Sequence, residues 1–291
     1  MIKKYFTDLT LIFVAVVWAL NFSVVKTALN EIDPLSFNAL RYILAASLLV
    51  VAAKSKGFNL KVKKEHFWKL VGIGLVGNLG YQLLFIIGIN YTFSANAAVV
   101  LGTIPIWVAF LSHFFTDEKL TSNKLIGIIT AFTGVAFLIA GGKDPISFAS
   151  DSFKGDIITL ISAITWATYT ILSKKYLKFY SPVQYSGFMS VVGVTSLLLV
   201  GSPFLVQLDW SGISLIGYGG ILYSGLLSVG LAYLIWNNGI AKIGAVRTAT
   251  YQNLVPVLGL LFGVILLREE LTLAQYFGSS IVISGIFISR F

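Results

Sequence analysis

The stretch VRTATYQNLVPVLGLLFGVILLREELT, residues 246–272, decides the fold of this chain. It begins with polar side chains, continues as an apolar run and ends on a cluster of charges. The run has about the 20 residues that a helix needs to cross the hydrocarbon core of a membrane. Only 11% of the chain is charged, so a charged cluster here indicates the end of a membrane-spanning helix and the start of a turn.

The composition extends this interpretation to the whole chain. Of the 291 residues 57% are hydrophobic, and the mean hydropathy is +0.87. A soluble surface does not tolerate that much apolar area, so the chain is predicted to be an integral membrane protein. It contains no cysteine. This excludes disulfides, a thiolate nucleophile and a cysteine-ligated metal site.

Ten apolar segments follow one another along the chain, separated by short connections that carry charges and turn-forming residues. A transmembrane β-barrel would instead show alternating segments of about ten residues. The predicted fold is therefore an all-α integral membrane protein with ten transmembrane helices. The predicted segments are residues 8–28, 34–53, 67–89, 95–116, 122–141, 155–174, 182–202, 212–235, 244–267 and 273–290.

The basic residues are distributed unevenly between the two sides of these segments. With Met1 in the cytoplasm, sixteen of the 21 lysines and arginines fall on the cytoplasmic side, four fall outside, and Arg41 lies within the second segment. Cytoplasmic loops are enriched in positive residues, so both termini are predicted to be cytoplasmic in a plasma or inner membrane. The net charge of +9 reflects this topology, and nucleic acid is not expected as a partner.

The two halves of the chain repeat each other. A shift of 148 residues relates four residues of the first half to identical residues of the second, and a shift of 151 relates seven more. The matching pairs are Asp8 and Asp156, Trp18 and Trp166, Lys26 and Lys174, Pro34 and Pro182, Gly88 and Gly239, Pro105 and Pro256, Glu118 and Glu269, Leu120 and Leu271, Thr121 and Thr272, Gly127 and Gly278, Gly134 and Gly285.

This repeat divides the chain into residues 1–142, a connection at 143–151 and residues 152–291, with five spans in each half. An odd number of spans places the second half in the membrane in the opposite orientation. Inverted repeats of this kind are the architecture of secondary transporters, whose two halves expose a site near the midplane to either side in turn. The repeat therefore favours a transporter.

Motifs in both halves of the chain resemble those of a known family. WALNFSVVK (18–26), PLSFNALRYILAASLL (34–49) and residues 94–139 are similar to the first EamA domain of a drug/metabolite transporter, and WATYTILSKKY (166–176) and residues 244–288 are similar to the second. The resemblance covers nearly the whole chain. It implies the ten-helix, two-repeat fold, carrier activity that usually exports metabolites or amino acids, and a bacterial inner membrane.

Polar and aromatic residues near the middle of the spans are the candidates for lining a transport path, because hydrocarbon offers them no hydrogen bonds. Each has an alternative role in packing helices or bridging them by hydrogen bonds. Trp236, like Trp68, Trp107 and Trp210, is predicted instead to anchor a span end at the membrane interface. The predicted substrate-binding residues are Trp18, Asn21, Asn78, Tyr81, Gln82, Trp166, Tyr169, Tyr251, Gln252 and Asn253, and the eighth span adds Tyr223, Ser224, Ser228 and Tyr233 as further polar candidates.

Five residues are predicted to have gating or structural roles. Pro105 and Pro256 each remove a backbone donor and bend a span, either to line a cavity or simply to improve packing. Arg41 lies within a span and either reaches back to the outer interface, attracts a substrate carboxylate or pairs within the bundle. Glu118 and Glu269 end equivalent spans, and Glu269 is predicted to reach the free amide groups of the tenth span across the turn, ahead of gating or proton coupling.

The same turn carries a helix-start signal. Thr272 followed by Gln275 is the pattern of a capping box, in which each side chain bonds the other's backbone amide. It predicts the first turn of the tenth span.

The absence of carboxylates from the middle of the spans bears on the substrate. All twelve acidic residues fall in connections or at span ends, whereas a carrier of organic cations needs a buried carboxylate as counter-ion. Amino acids, or similar zwitterionic or neutral solutes, are the preferred substrates. A multidrug or cation exporter and a channel or receptor without carrier activity remain the alternatives.

Catalysis is not expected. The chain lacks HExxH, GxSxG and a spaced carboxylate pair in the membrane, so no enzyme activity, metal or cofactor is predicted. The expected partners are a small-molecule substrate and the lipid bilayer. Proton coupling, the direction of transport and the choice between monomer and homodimer stay open.

Overall fold

A computed structural model describes residues 2–115, 121–141 and 150–288, and these residues are helices joined by short connections. Fourteen α-helices occur in this part of the chain. They are α1 (Ile2–Ala28), α2 (Pro34–Ser55), α3 (Lys64–Gly74), α4 (Tyr81–Tyr91), α5 (Ser94–Leu101), α6 (Ile104–Phe115), α7 (Ser122–Ala140), α8 (Asp151–Tyr176), α9 (Pro182–Gln207), α10 (Leu215–Leu222), α11 (Ala232–Ile243), α12 (Ala245–Ala249), α13 (Leu254–Leu267) and α14 (Leu273–Ile288).

Eight helical stretches of the described chain are long and apolar enough to cross a membrane. Several of these stretches contain two helices. The stretch Lys64–Tyr91 contains α3 and α4, and the stretch Leu215–Ile243 contains α10 and α11. The shorter helices α7 and α14 coincide with the predicted fifth and tenth segments but are not among the eight. The predicted end of the eighth segment at residue 235 is wrong, because α11 continues to Ile243.

Serine and aspartate side chains set several helix starts. The carboxylate of Asp33 accepts hydrogen bonds from the backbone amides of Leu35 (3.1 Å) and Ser36 (2.9 Å), and Pro34 occupies the first turn of α2. Ser181 caps α9 in the same way. A side-chain oxygen there satisfies an amide that has no partner within the helix, and proline needs none. These local signals fix where the spans begin.

Two long stretches are wound as π-helix at positions related by the repeat. Leu75–Gly80 connects α3 to α4, and Tyr223–Leu231 connects α10 to α11. Each π-helical turn disturbs the regular bonding ladder and is typical of functional sites in helices. Both lie beside the central cavity of the bundle described below.

The next span in each half is interrupted directly before its proline. Residues 102–103 separate α5 from α6 ahead of Pro105, and a 3₁₀ turn at Thr250–Asn253 separates α12 from α13 ahead of Pro256. The interruptions meet, because a Cβ atom at Gly102 would lie 2.7 Å from Cγ of Pro256. The two broken helices therefore cross where their backbones are least regular.

The helices α7 and α14 pack closely against each other. A Cβ atom at Gly134 would lie 2.5 Å from the backbone nitrogen of Val282, and one at Gly285 would lie 2.5 Å from that of Ala131. Small residues allow such backbone contact between membrane helices, where van der Waals packing replaces the hydrophobic effect as the driving force. The two glycines, equivalent in the repeat, set this crossing from both sides.

We expect Gly134→Ala and Gly285→Ala each to lower the free energy of unfolding by about 1–3 kcal/mol, because the added methyl group forces two backbones apart. Thermal unfolding of the purified protein in detergent measures the change. Gly72→Ala is the matched control, since no atom lies within 4 Å of its Cβ position. There alanine is expected to be neutral or to stabilise by about 0.5–1 kcal/mol. Equal behaviour of all three variants would contradict the close crossing.

Candidate functional site

A cavity lies at the centre of the bundle, with walls from both halves of the chain. Its volume is about 40 Å³, measured as the space open to the centre of a water molecule. Polar groups, aromatic rings and aliphatic side chains share its surface, which is typical of small-molecule sites. Its lining residues are Trp18, Asn21, Phe22, Arg41, Tyr81, Gln82, Phe85, Leu101, Ile104, Ser228, Val229, Tyr233, Gln252 and Val255.

Five of the ten predicted substrate-binding residues line this cavity. Two come from α1, two from the start of α4 and one from the 3₁₀ turn before α13. These elements are adjacent because α1 packs against α4, α5, α13 and the 3₁₀ turn. The five residues are Trp18, Asn21, Tyr81, Gln82 and Gln252.

Aromatic rings form one side of the cavity. The Trp18 ring meets Trp166 edge-on at 5.7 Å between centroids and Tyr233 at 6.3 Å. Its indole N–H donates to the carbonyl of Ser228 at 3.0 Å, which fixes the ring's orientation. Edge-to-face pairs at these distances are favourable beyond the area they bury. The wall is therefore rigid and specific in shape.

Trp166 lies behind this wall and does not line the cavity. It is 1% exposed and packs between Tyr81 (4.8 Å), Tyr169 (5.1 Å) and Tyr233 (4.8 Å). The repeat relates Trp18 to Trp166, yet one faces the cavity and the other supports it. The tertiary packing thus gives equivalent residues different positions.

The prediction that Trp236 is an interfacial anchor is wrong. Its side chain is 1% exposed and its ring lies 5.1 Å from that of Trp18. The reason is the extra length of α11, which carries Trp236 into the bundle and moves the end of the span to Ile243. Trp68, by contrast, is 78% exposed, as expected for an interfacial residue.

Arg41 is buried on the cavity wall, with only 1% of its surface exposed. Its Nε donates to the amide oxygen of Asn38 at 2.9 Å, Nη1 donates to the hydroxyl of Ser224 at 3.0 Å, and Nη2 donates to the amide oxygen of Gln82. The ring of Phe85 lies 5.4 Å from the guanidinium carbon. Of the three predicted alternatives, contact with the interface is wrong, because the guanidinium bonds partners within the bundle. Attraction of a substrate carboxylate stays a prediction.

A smaller cavity lies beside the central one and shares Val229 and Tyr233 with it. Asn78 and Tyr169 line this second cavity. The hydroxyl of Tyr42 donates to Asn78 at 2.8 Å, and the amide of Asn237 donates to Tyr169 at 3.2 Å. These two predicted residues therefore belong to a polar network next to the central cavity.

The other two predicted residues, on either side of Gln252, line neither cavity. Tyr251 donates a hydrogen bond from its hydroxyl to the carboxylate of Asp8. Asn253 lies at the end of the 3₁₀ turn and lines neither cavity.

Several lining residues were not predicted because they are apolar. Phe22 and Phe85 are examples, and their rings meet at 5.8 Å between centroids. Each follows a predicted aromatic residue, Trp18 or Tyr81, by four positions, so it lies on the same helix face. Helical periodicity is the signal that would have found them.

Glu269 contacts a different helix from the predicted one. Its carboxylate accepts hydrogen bonds from the backbone amides of Ser94 (2.7 Å) and Ala95 (2.9 Å), the first residues of α5 in the other half of the chain. The predicted contact with α14 is therefore wrong. A carboxylate is stabilised at a helix N-terminus and destabilised at a C-terminus, and the fold brings the N-terminus of α5 to this carboxylate.

Two further sets of hydrogen bonds lie near Glu269, one predicted from the sequence and one not. The capping box is confirmed: the amide of Thr272 donates to Gln275 at 2.9 Å, and the amide of Gln275 donates to the hydroxyl of Thr272 at 3.2 Å. The ammonium group of Lys26 donates to the carbonyls of Ile89 (2.9 Å), Asn90 (2.9 Å) and Thr92 (2.7 Å), which end α4. Glu118, the equivalent of Glu269, lies outside the described residues.

The helical bundle and its cavity of polar and aromatic residues are typical of one class, the multi-pass membrane proteins that bind small molecules. Comparison with known proteins places the chain within that class. The EamA-like transporter family matches residues 5–140 and 153–291. The protein belongs to the EamA-like transporter family.

Curated relatives extend over nearly the whole chain. The chain is 26% identical over 285 residues to the uncharacterized transporter YoaV of Bacillus subtilis, covering 97% of this chain and 96% of the relative. It is 30% identical over 293 residues to a probable amino-acid metabolite efflux pump of Escherichia coli, covering 96% and 92%. A solved crystal structure at 17% identity superposes with a TM-score of 0.69, covers 96% of this chain and 94% of the other, and supports the fold alone.

Proposed function

We propose that this protein is a secondary transporter that exports small metabolites, preferably amino acids or similar zwitterionic or neutral solutes, across the cytoplasmic membrane by alternating access. The observation that carries the proposal is the central cavity, whose wall joins residues of both halves, such as Arg41 and Gln252. A site between two pseudo-symmetric halves is the arrangement that rocking of one half against the other exposes to either side. The relative named as a probable amino-acid metabolite efflux pump supports the solute class.

In this proposal the ten helical regions all cross the membrane as two inverted repeats of five, residues 1–142 and 152–291, with both termini cytoplasmic. The π-helical turns and the helix interruptions before Pro105 and Pro256 recur at equivalent places in the two halves and support the repeat. Irregular backbone at membrane depth is tolerated where it lines a cavity. In this proposal the separate contacts of Lys26 with the end of α4 and of Glu269 with the start of α5 hold one end of the bundle together.

The lining of the cavity argues against an exporter of organic cations. Its residues include one guanidinium and no carboxylate, and a permanent cation would meet a like charge there. An amino acid brings its own carboxylate. The described part of the cavity therefore favours the amino-acid class.

Counterflow in proteoliposomes tests the function. Vesicles preloaded with unlabelled amino acids are expected to accumulate the same labelled amino acid transiently, because a carrier exchanges solutes through one alternating site. Vesicles without protein are the control. An ion current without counterflow would favour a channel, and the absence of both would contradict transport.

The inverted topology has its own test, which the absence of native cysteine makes direct. Asn30 and Lys178 are equivalent under the shift of 148 residues, and both are exposed. We expect Asn30→Cys to react with a membrane-impermeant maleimide in intact cells, whereas Lys178→Cys reacts only after the membrane is opened. Lysed cells provide the labelling control for both, and labelling of both or neither in intact cells would contradict inversion.

A further inference from the structure

Arg41 is a buried cation whose hydrogen bonds all go to neutral groups. Three of its five N–H donors bond oxygens of Asn38, Gln82 and Ser224. The titratable groups that act on the guanidinium are tyrosines, and no carboxylate contacts it in the described part of the chain. A buried charge without a counter-ion is costly in a medium of low polarity. The guanidinium therefore carries a charge for which the described residues supply no counter-ion.

We propose that Arg41 binds the carboxylate of the transported solute, and that the amide oxygens of Asn21 and Gln252 accept hydrogen bonds from its amino group. This inference rests on the proposed transport function and adds the groups that recognise the solute. All three side chains lie on the wall of the same cavity. A zwitterionic amino acid supplies a charge complement for Arg41 and donors for the two amides.

Gln82 now occupies the place that a carboxylate would take. Its amide oxygen accepts from Arg41, while its amide nitrogen donates to the hydroxyl of Tyr233. A solute carboxylate offers the guanidinium a stronger, charge-assisted and bidentate partner than an amide oxygen. Binding therefore exchanges one hydrogen bond to a neutral acceptor for an ion pair, and Gln82 keeps its bond to Tyr233.

The wall of the same cavity also carries hydrogen-bond acceptors without a partner among the described residues. The amide oxygens of Asn21 and Gln252 are buried and have no hydrogen-bond partner among the described residues. An unpaired buried acceptor costs free energy that a donor in a ligand recovers. An ammonium group supplies three such donors, and the faces of the nearby Trp18 and Tyr81 rings also attract a cation.

A panel of related compounds tests the proposal on the wild-type protein, with tryptophan fluorescence reporting on Trp18 at the cavity wall. The probes are L-phenylalanine, 3-phenylpropionate without the amino group, L-phenylalaninamide without the carboxylate, and L-leucine as a second amino acid. We expect the two amino acids to bind, and removal of either charged group to weaken binding at least about tenfold.

Gln82→Glu gives a sharper test, because it places a carboxylate beside the guanidinium at nearly unchanged volume. The internal ion pair competes with the solute, so binding of L-phenylalanine is expected to weaken about 10- to 100-fold while the melting temperature stays equal or rises. Damage to the fold would lower both. Gln207→Glu, which adds the same charge at an exposed position, is the matched control.

Arg41→Gln removes the cation and is expected to weaken binding of L-phenylalanine by a similar factor, with less effect on L-phenylalaninamide. Arg247→Gln, at an exposed position, is its control for the change in net charge.

Three results overturn the proposal: wild-type protein that binds L-phenylalaninamide as tightly as L-phenylalanine, wild-type protein that binds neither amino acid, or Gln82→Glu protein that binds L-phenylalanine like the wild type. Failure of the transport function is a separate result. In that case binding follows the expected pattern, but no labelled amino acid undergoes counterflow in vesicles.

Discussion

Glu269→Ala is expected to lower the free energy of unfolding by about 2–4 kcal/mol, because it removes two charge-assisted hydrogen bonds from the N-terminus of α5. The amides of Ser94 and Ala95 would keep no side-chain acceptor at a partly buried position. The contact joins residues 175 positions apart, so its loss loosens the two halves and not only one turn. Thermal unfolding in detergent, followed by tryptophan fluorescence, measures the effect.

The surroundings of Glu269 explain why the effect is large. Arg268 has a left-handed backbone (φ 53°) and turns the chain at the end of α13. Gly263 leaves the space that the carboxylate fills, since a Cβ atom there would lie 2.5 Å from Oε2 of Glu269. On the other side of the same turn Lys26 binds the end of α4. Cation and anion therefore each complement the helix end that they touch.

Three further variants separate charge, reach and general surface effects at this position. Glu269→Asp keeps the charge but shortens the side chain by one methylene group, and Glu269→Gln keeps the length but loses the charge, so both should fall between alanine and the wild type. Glu65→Ala is the control, because its carboxylate is 69% exposed and lies 3.9 Å from Lys63. There we expect a change within about 0.5 kcal/mol. Equal effects at 65 and 269 would contradict a bond between the halves.

The same substitution should shift the conformational equilibrium of a transporter. If the bond of Glu269 closes one end of the bundle, its loss by about 2–4 kcal/mol changes the ratio of the two access states by about 30- to 1000-fold. Reaction of Asn21→Cys with a small soluble maleimide reports this change, because Asn21 lines the central cavity. In the Glu269→Ala background we expect faster labelling by maleimide added on the side of the membrane where α5 begins. An unchanged rate would restrict Glu269 to a structural role.

Trp166→Ala is expected to destabilise the protein by about 3–5 kcal/mol, the largest effect of any substitution considered. The indole is fully buried and contacts aromatic rings of both halves, among them Trp18 at 5.7 Å and Tyr81 at 4.8 Å. In a membrane the lost energy is mainly dispersion and ring packing, because lipid is as apolar as the core. Unfolding in detergent measures it.

Two controls accompany this prediction. Trp166→Phe should cost less than alanine, since it keeps a ring and removes an indole N–H that has no partner among the described residues. Trp68→Ala should be close to neutral in unfolding, because 78% of its surface is exposed. A small effect of Trp166→Ala would show that the aromatic wall does not stabilise the bundle.

Much of the fold could be predicted from local patterns. Apolar segments located the eight stretches of the described chain that are long and apolar enough to cross a membrane. Capping residues such as Asp33 and Thr272 marked helix starts, because both signals depend on residues within one or two turns. The predicted end of the eighth region was wrong because it, too, was read from local residues alone. A window of hydropathy does not detect that Trp236 and its neighbours continue the helix into the bundle.

The candidate site was predicted less completely. Polar side chains such as Asn21 and Gln82 stood out in apolar spans, whereas Phe22 and Phe85 did not differ from residues that face lipid or core. Arg41 illustrates the limit most clearly. Its position in a span was evident, but its burial away from the interface depended on Asn38, Gln82 and Ser224, each of which accepts a hydrogen bond from the guanidinium.

The sequence by itself determined that this is a helical membrane protein with a repeated pattern and a capped turn at residues 268–275. It also determined that Glu269 has to be stabilised by something other than its own helix, whose dipole disfavours it. Only the tertiary structure decided what that partner is. Ser94 and Ala95 are distant in the chain, and a contact between distant residues follows from how the helices pack together, which no local pattern of residues contains.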